Sequence, residues 1–258
     1  MTGAMLELTQ MLRGPLVLAF AVFLRIGAAM ALMPGFGDQT VPMRVKLVLA
    51  LAFTAIVWPM AAGALPDVPL VLKPQYFLTE AVIGLALGIF FRLFVMILQL
   101  AGMMAAQATS LSQIFGGGAT PDPMPAFGNL LVIGGLALAM TSGLHVKLAL
   151  ALAQSYTVLP FGLFPSPSEF TEWGVSGIGR AFGMAFSLAA PFVIASVIYN
   201  VAIGAINKAM PQLMVAFIGA PAITFGGLLL LATTAPLLLY LWLERFNAGL
   251  ANPFGGNW

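Results

Sequence analysis

Between Leu213 and Leu243 the chain runs 31 residues without a charge. Few folds admit such a run. A straight helix of that length would reach roughly 45 Å at about 1.5 Å per residue. A bilayer core is about 30 Å thick and is crossed by about 20 apolar residues. Lipid offers no partner to backbone N–H and C=O groups, so a chain within it must pair them internally, as a helix does. Composition points the same way. The chain is 61% hydrophobic and 7% charged, against about 25% charged in a soluble domain. Ten basic and eight acidic side chains cannot clothe a soluble fold of 258 residues. The sequence therefore predicts an all-α membrane protein.

Six further apolar segments precede that run: Gly14–Pro34, Val45–Leu65, Tyr76–Ala106, Phe127–Leu144, a weaker Lys147–Phe164, and Ile178–Ile206. The first is as long as a span and longer than a signal-peptide core. Met1–Gln10 holds Glu7 and no basic residue, so a cleaved leader is not expected. Gly219, Pro221, Gly226 and Gly227 fall in the first half of the last run, which predicts a broken or bent helix. Pro34–Asp38 reads as a turn. Gln107–Ala126 reads as a loop, with Gly116, Gly117 and Gly118 followed by Pro121, Pro123 and Pro125. Pro160–Pro167 opens a second polar loop holding Glu169 and Glu172. Asn207–Pro211 joins the last two segments into a helical hairpin, and a break near residue 170 divides a larger first part from it. Basic residues mark the loops poorly: Arg44 and Lys46 favour the cytoplasmic side after the first segment, but Gln107–Ala126 and Phe161–Gly177 hold none. Helices placed so weakly by charge are expected to be held by protein partners as much as by the bilayer.

Chemistry is sparse. Cysteine is absent, which excludes disulfides, thiolate zinc sites and cysteine nucleophiles. His145 stands alone and cannot build a zinc site; at a helix end it reads as an interfacial side chain. Ser110, Ser112 and Ser142 lack a base and a Gly-x-Ser-x-Gly elbow. Gly116–Gly118 is not followed by Gly-Lys-Ser/Thr, so no phosphate loop is present. No run of basic residues suggests nucleic acid. Neither enzyme activity, a metal nor a cofactor is expected.

Arg25, Glu80 and Arg92 lie inside apolar segments, where charges are costly and usually face a partner or water. An Arg25–Glu80 or Arg92–Glu80 pair between helices is one reading. Glu80 and Arg92 are twelve residues apart, about 18 Å along one helix, so they cannot pair within it. An ion relay is the sharper reading, but it would want more carboxylates than Glu80. Gly84-x-x-x-Gly88 and Gly179-x-x-x-Gly183 each place small residues on one face, which permits close helix approach. Met96, Met103 and Met104 either fill a core or line an adaptable constriction. Leu111, Ile114 and Phe115 on a glycine-hinged loop would either plug a lumen or rest on neighbouring helix ends.

Several of these positions together resemble the FliR family of flagellar biosynthetic membrane proteins, whose injectisome relatives serve type III secretion. The match runs through Phe23–Gly27 with its Arg25-Ile26-Gly27, Pro34–Gly37, Val41–Arg44, Leu98–Gly102 leading into Gln107, Gly143–His145, Leu159-Pro160, Met210–Leu213 and Phe217–Pro221. It keeps order and spacing over nearly the whole chain. The resemblance implies a subunit of a bacterial inner-membrane export gate at the flagellar basal body. It would be built from long broken helices and helical hairpins, with a FliP-like part over 1–170 fused to a FliQ-like hairpin over 171–258. Partners implied are FliP-like and FliQ-like subunits, a FlhB-like switch protein, unfolded export substrates and membrane lipid. The central plug loop would span 107–127, with Leu111, Ile114, Phe115 and Gly116–Gly118 as plug and Met103 and Met104 lining the lumen. Ser112 stands where relatives often carry a further Phe, and the three glycines are unusual. The hairpin tip at Lys208, Pro211, Gln212 and Leu213 would meet the cytoplasmic partner. A secondary transporter or small-solute channel is the competing reading; it would want paired broken helices around a midplane site.

Overall fold

The computed structural model describes residues 2–38, 41–61, 74–109, 126–210, 215–255 and 258, with the side chains of 2–14, 215–218 and 220 outside the description. Among these residues there are seven helices and no strand: α1 (Thr2–Leu32), α2 (Met43–Ala61), α3 (Pro74–Ala108), α4 (Ala126–Thr141), α5 (Leu144–Val158), α6 (Pro167–Ala209) and α7 (Val215–Ala251). Five of them are long and apolar enough to cross a membrane, and α4 with α5 would make a sixth, broken span. The chain is an all-α membrane protein.

Local chemistry explains where the helices stop. Gly143, at φ +82°, separates α4 from α5 in a left-handed conformation that a side chain would strain. Helix α6 starts eleven residues before the expected Ile178, so Glu169 and Glu172 are helical rather than in a loop. Pro167 occupies the first helical position, where its missing N–H costs nothing, and Glu169 in the first turn suits the positive end of the helix dipole. The Phe170 N–H closes the turn on the Ser166 carbonyl at 2.9 Å. Helix α7 departs from one half of its expectation, a break within its first half. It is one helix from Val215 to Ala251, unbroken at Gly219–Gly227, with Pro221 and Pro236 inside it. The interrupted element lies instead at Gly143, where a positive φ ends the helix; proline removes one backbone bond but leaves φ helical.

The chain forms two compact units. The first holds Met1–Arg92, Met140–Ser176 and Phe246–Trp258. Within it α2 packs on α1 and α5, and Ile26, Met30, Met33 and Phe91 are buried. Phe90 stacks on Trp173 at 5.5 Å and meets Trp258 edge-on at 5.3 Å, while the Trp173 indole N–H donates to the Pro253 carbonyl at 2.9 Å. The second unit holds Leu93–Ala139 and Gly177–Arg245. Its largest buried side chain, Trp242, donates its indole N–H to the Phe94 carbonyl at 2.8 Å. Phe127 packs on Phe192 at 6.0 Å.

Candidate functional site

In the first unit α3 approaches α1 closely because two glycines permit it. A Cβ on Gly84 would collide with the Arg25 carbonyl oxygen, and one on Gly88 would stand 2.6 Å from the Ala29 carbonyl oxygen. Glu80 lies one turn before Gly84 on the same face, so the close approach carries its carboxylate to Arg25. Arg25 Nε donates to Glu80 Oε2 at 2.7 Å and Nη2 to Oε1 at 3.0 Å. Both side chains are 0% exposed. Burial of this kind is tolerated only when the remaining donors and acceptors are paired. Here they are. Arg25 also donates to Ser155 Oγ at 3.1 Å and to the Leu159 carbonyl at 3.0 Å. Glu80 also accepts from the Tyr156 hydroxyl at 3.2 Å and the Gly162 N–H at 3.2 Å. The guanidinium lies over the Tyr156 ring, 3.7 Å from its centre. Gly162 is required by its φ of +72° and by the Tyr76 ring, 2.7 Å from where its Cβ would stand.

This cluster ties α1, α3, α5 and the loop after α5 into one polar node. It offers no nucleophile–base pair, and every oxygen of Glu80 is already occupied by donors. Chemically it can hold, not react. Of the three charges expected within the membrane, the fold joins Arg25 to Glu80, whereas Arg92 is exposed and pairs with no described residue. Ser155, Tyr156 and Gly162 carry no mark in the sequence, and Leu159 stands out there only within the Leu159-Pro160 of the resemblance. A helical Ser-Tyr pair followed by Pro160 and Gly162 carries no signal until α1 and α3 are set beside it.

In the second unit α3 and α4 cross at glycine on glycine. A Cβ on Gly102 would collide with the Gly128 backbone, and would stand 2.9 Å from the Phe127 carbonyl carbon. Met103 and Met104 are half-buried beside that crossing. Seven residues beyond Gly102, buried Thr109 ends the helix, its hydroxyl bonded to the Ala105 carbonyl at 3.0 Å. A Cβ on Gly227 of α7 would meet the Thr109 side chain. The expected loop is shorter at both ends, because Gln107, Ala108, Ala126 and Phe127 are helical. The plug candidates Leu111, Ile114, Phe115, Gly116, Gly117 and Gly118 lie outside the described residues, as do Pro211, Gln212 and Leu213 of the hairpin tip. Lys208 is exposed near the end of α6, and His145 is exposed in the first turn of α5. Among the described residues no three His, Cys, Asp or Glu side chains gather as a metal site would need.

Residues 16–249 match the family model described as bacterial export proteins, family 1. The chain is 31% identical over 234 residues to flagellar biosynthetic protein FliR of Caulobacter vibrioides, covering 89% of this chain and 92% of that one. It is 29% identical to the FliR of Escherichia coli, over 89% of this chain and 90% of that one. With the FliR of Aquifex aeolicus identity is 25%, over 87% and 88%.

Proposed function

The chain belongs to bacterial export protein family 1, the family of the flagellar FliR proteins, and from that premise we propose that it forms and plugs the channel of the flagellar type III export gate. It is a multi-pass inner-membrane component of the flagellar export apparatus at the basal body. In the proposal, Leu111, Ile114, Phe115 and the three glycines form a movable plug, Met103 and Met104 line the lumen beside it, and unfolded flagellar proteins displace it. The observation that carries this reading is the mounting of residues 110–125. The segment leaves α3 just beyond the Gly102 crossing and re-enters at α4 two residues before Gly128. The two helices that flank it meet backbone to backbone at Gly102 and Gly128, the fixed pair of anchors that a plug in this proposal needs. Deleting Gln113–Thr120 is expected to raise the ion leak of membranes carrying the assembled gate severalfold, read as current across a planar bilayer. Unchanged conductance would remove the plug role.

Partners in this reading are FliP-like and FliQ-like gate subunits and a FlhB-like switch protein, the last meeting the hairpin tip at Lys208, Pro211, Gln212 and Leu213. The FliP-like part would span 1–170 and the FliQ-like hairpin 171–258. Support comes from the second small-residue motif. Gly84 and Gly88 are consumed against α1, whereas Cβ atoms on Gly179 and Gly183 of α6 would meet nothing within 4 Å. Glycines left open on a helix flanked by exposed Phe182 and Phe186 fit a neighbouring helix. Gly183→Leu should leave the isolated chain as stable, or up to about 1 kcal/mol more stable through helix propensity, while recovery of co-purified partner subunits falls severalfold. Full recovery of partners would place the interface elsewhere. The same component is structural rather than enzymatic in this reading. A secondary transporter or small-solute channel gains no support from the family it belongs to.

A further inference from the structure

The exposed apolar face of α2 differs from that of α6. Helix α2 is 19 residues long, about 28 Å at 1.5 Å per residue, close to the thickness of a bilayer core. One side, with Ala50, Phe53, Thr54 and Val57, is buried where the helix packs on α1 and α5. The other side is bare: Val48 is 64% exposed, and Leu47, Leu51 and Ile56 are about half exposed. This bare side carries no glycine, and no two small residues stand four apart on it. A helix partner would ask for such a pair, and α6 has one in Gly179 and Gly183. Bulky branched side chains without a groove suit acyl chains instead.

Charge marks the end of the same stripe. Arg44 lies one turn before Val48, on the face that continues through Leu51, Ala55 and half-buried Trp58. Arg44 is exposed, and none of the described residues forms an ion pair with it. The neighbouring cation is already used: Lys46 Nζ donates to the Gly37 carbonyl at 2.7 Å. Arg at one end of an apolar stripe and Trp at the other is the arrangement that sits at the two edges of a lipid layer. We propose that the outer face of α2 is a phospholipid-binding surface, with acyl chains along Val48, Leu51 and Ala55 and an anionic headgroup phosphate on Arg44. The guanidinium fork matches a phosphate oxygen pair, and it favours headgroups whose phosphate charge is not cancelled by an ammonium of their own.

The test uses the full-length chain in its native membrane, with a photoreactive phenylalanine analogue placed at residue 48 or 51 and, for comparison, at residue 182. Irradiation at 48 and 51 should yield adducts with the mass of a phospholipid, and at 182 adducts with a protein. A discrete protein adduct at 48 and 51 would overturn the lipid surface. In the second arm Arg44→Gln is combined with the probe at residue 48. The share of phosphatidylglycerol and cardiolipin among the adducts, relative to phosphatidylethanolamine, should fall about fivefold, the ratio equivalent to about 1 kcal/mol for one basic residue near anionic lipid. Arg44→Lys should lose less, because the charge stays and the fork is lost. An unchanged lipid share in Arg44→Gln would overturn the headgroup contact. Arg44 is exposed, so neither substitution should disturb folding.

Discussion

Replacing Glu80 by alanine should destabilise the chain by about 3–5 kcal/mol, because it leaves the Arg25 guanidinium buried without its counter-charge. That is a large part of the 5–15 kcal/mol that holds a typical domain together. The loss is greater than one ion pair, since Glu80 also accepts from Tyr156 and from the Gly162 N–H, and a buried donor left unpaired costs about 1–3 kcal/mol. Reversible SDS unfolding of the purified chain in mixed micelles would measure the change, and motility would report its consequence. The control is the double substitution Arg25→Met, Glu80→Met. Removing both charges together with apolar replacements is often neutral or stabilising, so the double variant should recover most of the stability lost by the single one. If it is no more stable than Glu80→Ala, the node contributes through its shape and not through its charge.

Gly102→Ala should cost about 1–3 kcal/mol through overpacking, partly offset by up to about 1 kcal/mol of helix propensity. Gly102→Leu should exceed that range. The neighbours of the added atom are the backbone of Gly128 and the carbonyl carbon of Phe127. A flexible side chain could rotate away, but backbone can yield only by moving a whole helix. Both variants should therefore separate α3 from α4 and loosen the anchors of residues 110–125. Ion leak through the assembled gate should rise along with the loss of stability. If Gly102→Leu unfolds no more easily than the parent chain, the crossing is not tight. Gly179→Ala is the matched control, since its new Cβ would meet nothing within 4 Å.

The three small-residue positions show where reading the chain stops. Gly84-x-x-x-Gly88 and Gly179-x-x-x-Gly183 are alike as strings, yet one is spent inside the chain and the other is open. Gly102 belongs to neither motif and makes the tightest use of a missing side chain in its unit. The charges behave in the same way. Arg25, Glu80 and Arg92 all stood out as costly within apolar segments, and spacing along one helix already kept Arg92 from Glu80, but nothing in the string brings α1 to α3. The glycine approach to α1 decides for Arg25 and leaves Arg92 exposed.

Seven apolar segments, their approximate limits and the membrane setting were legible because they follow from hydropathy and length, which act on each stretch independently. Errors came where one residue outweighs its surroundings. Pro167 with Glu169 started α6 eleven residues early, and α7 continued through Pro221. The four-residue ring of partners around Arg25 and Glu80 could not be read, since Ser155, Tyr156, Leu159 and Gly162 reach the pair from 75 to 137 positions away along the chain. Burial and backbone pairing are written locally in the chain. Which polar groups and which glycines find one another depends on how the helices pack, and packing is a property of surfaces that exist after the helices have formed.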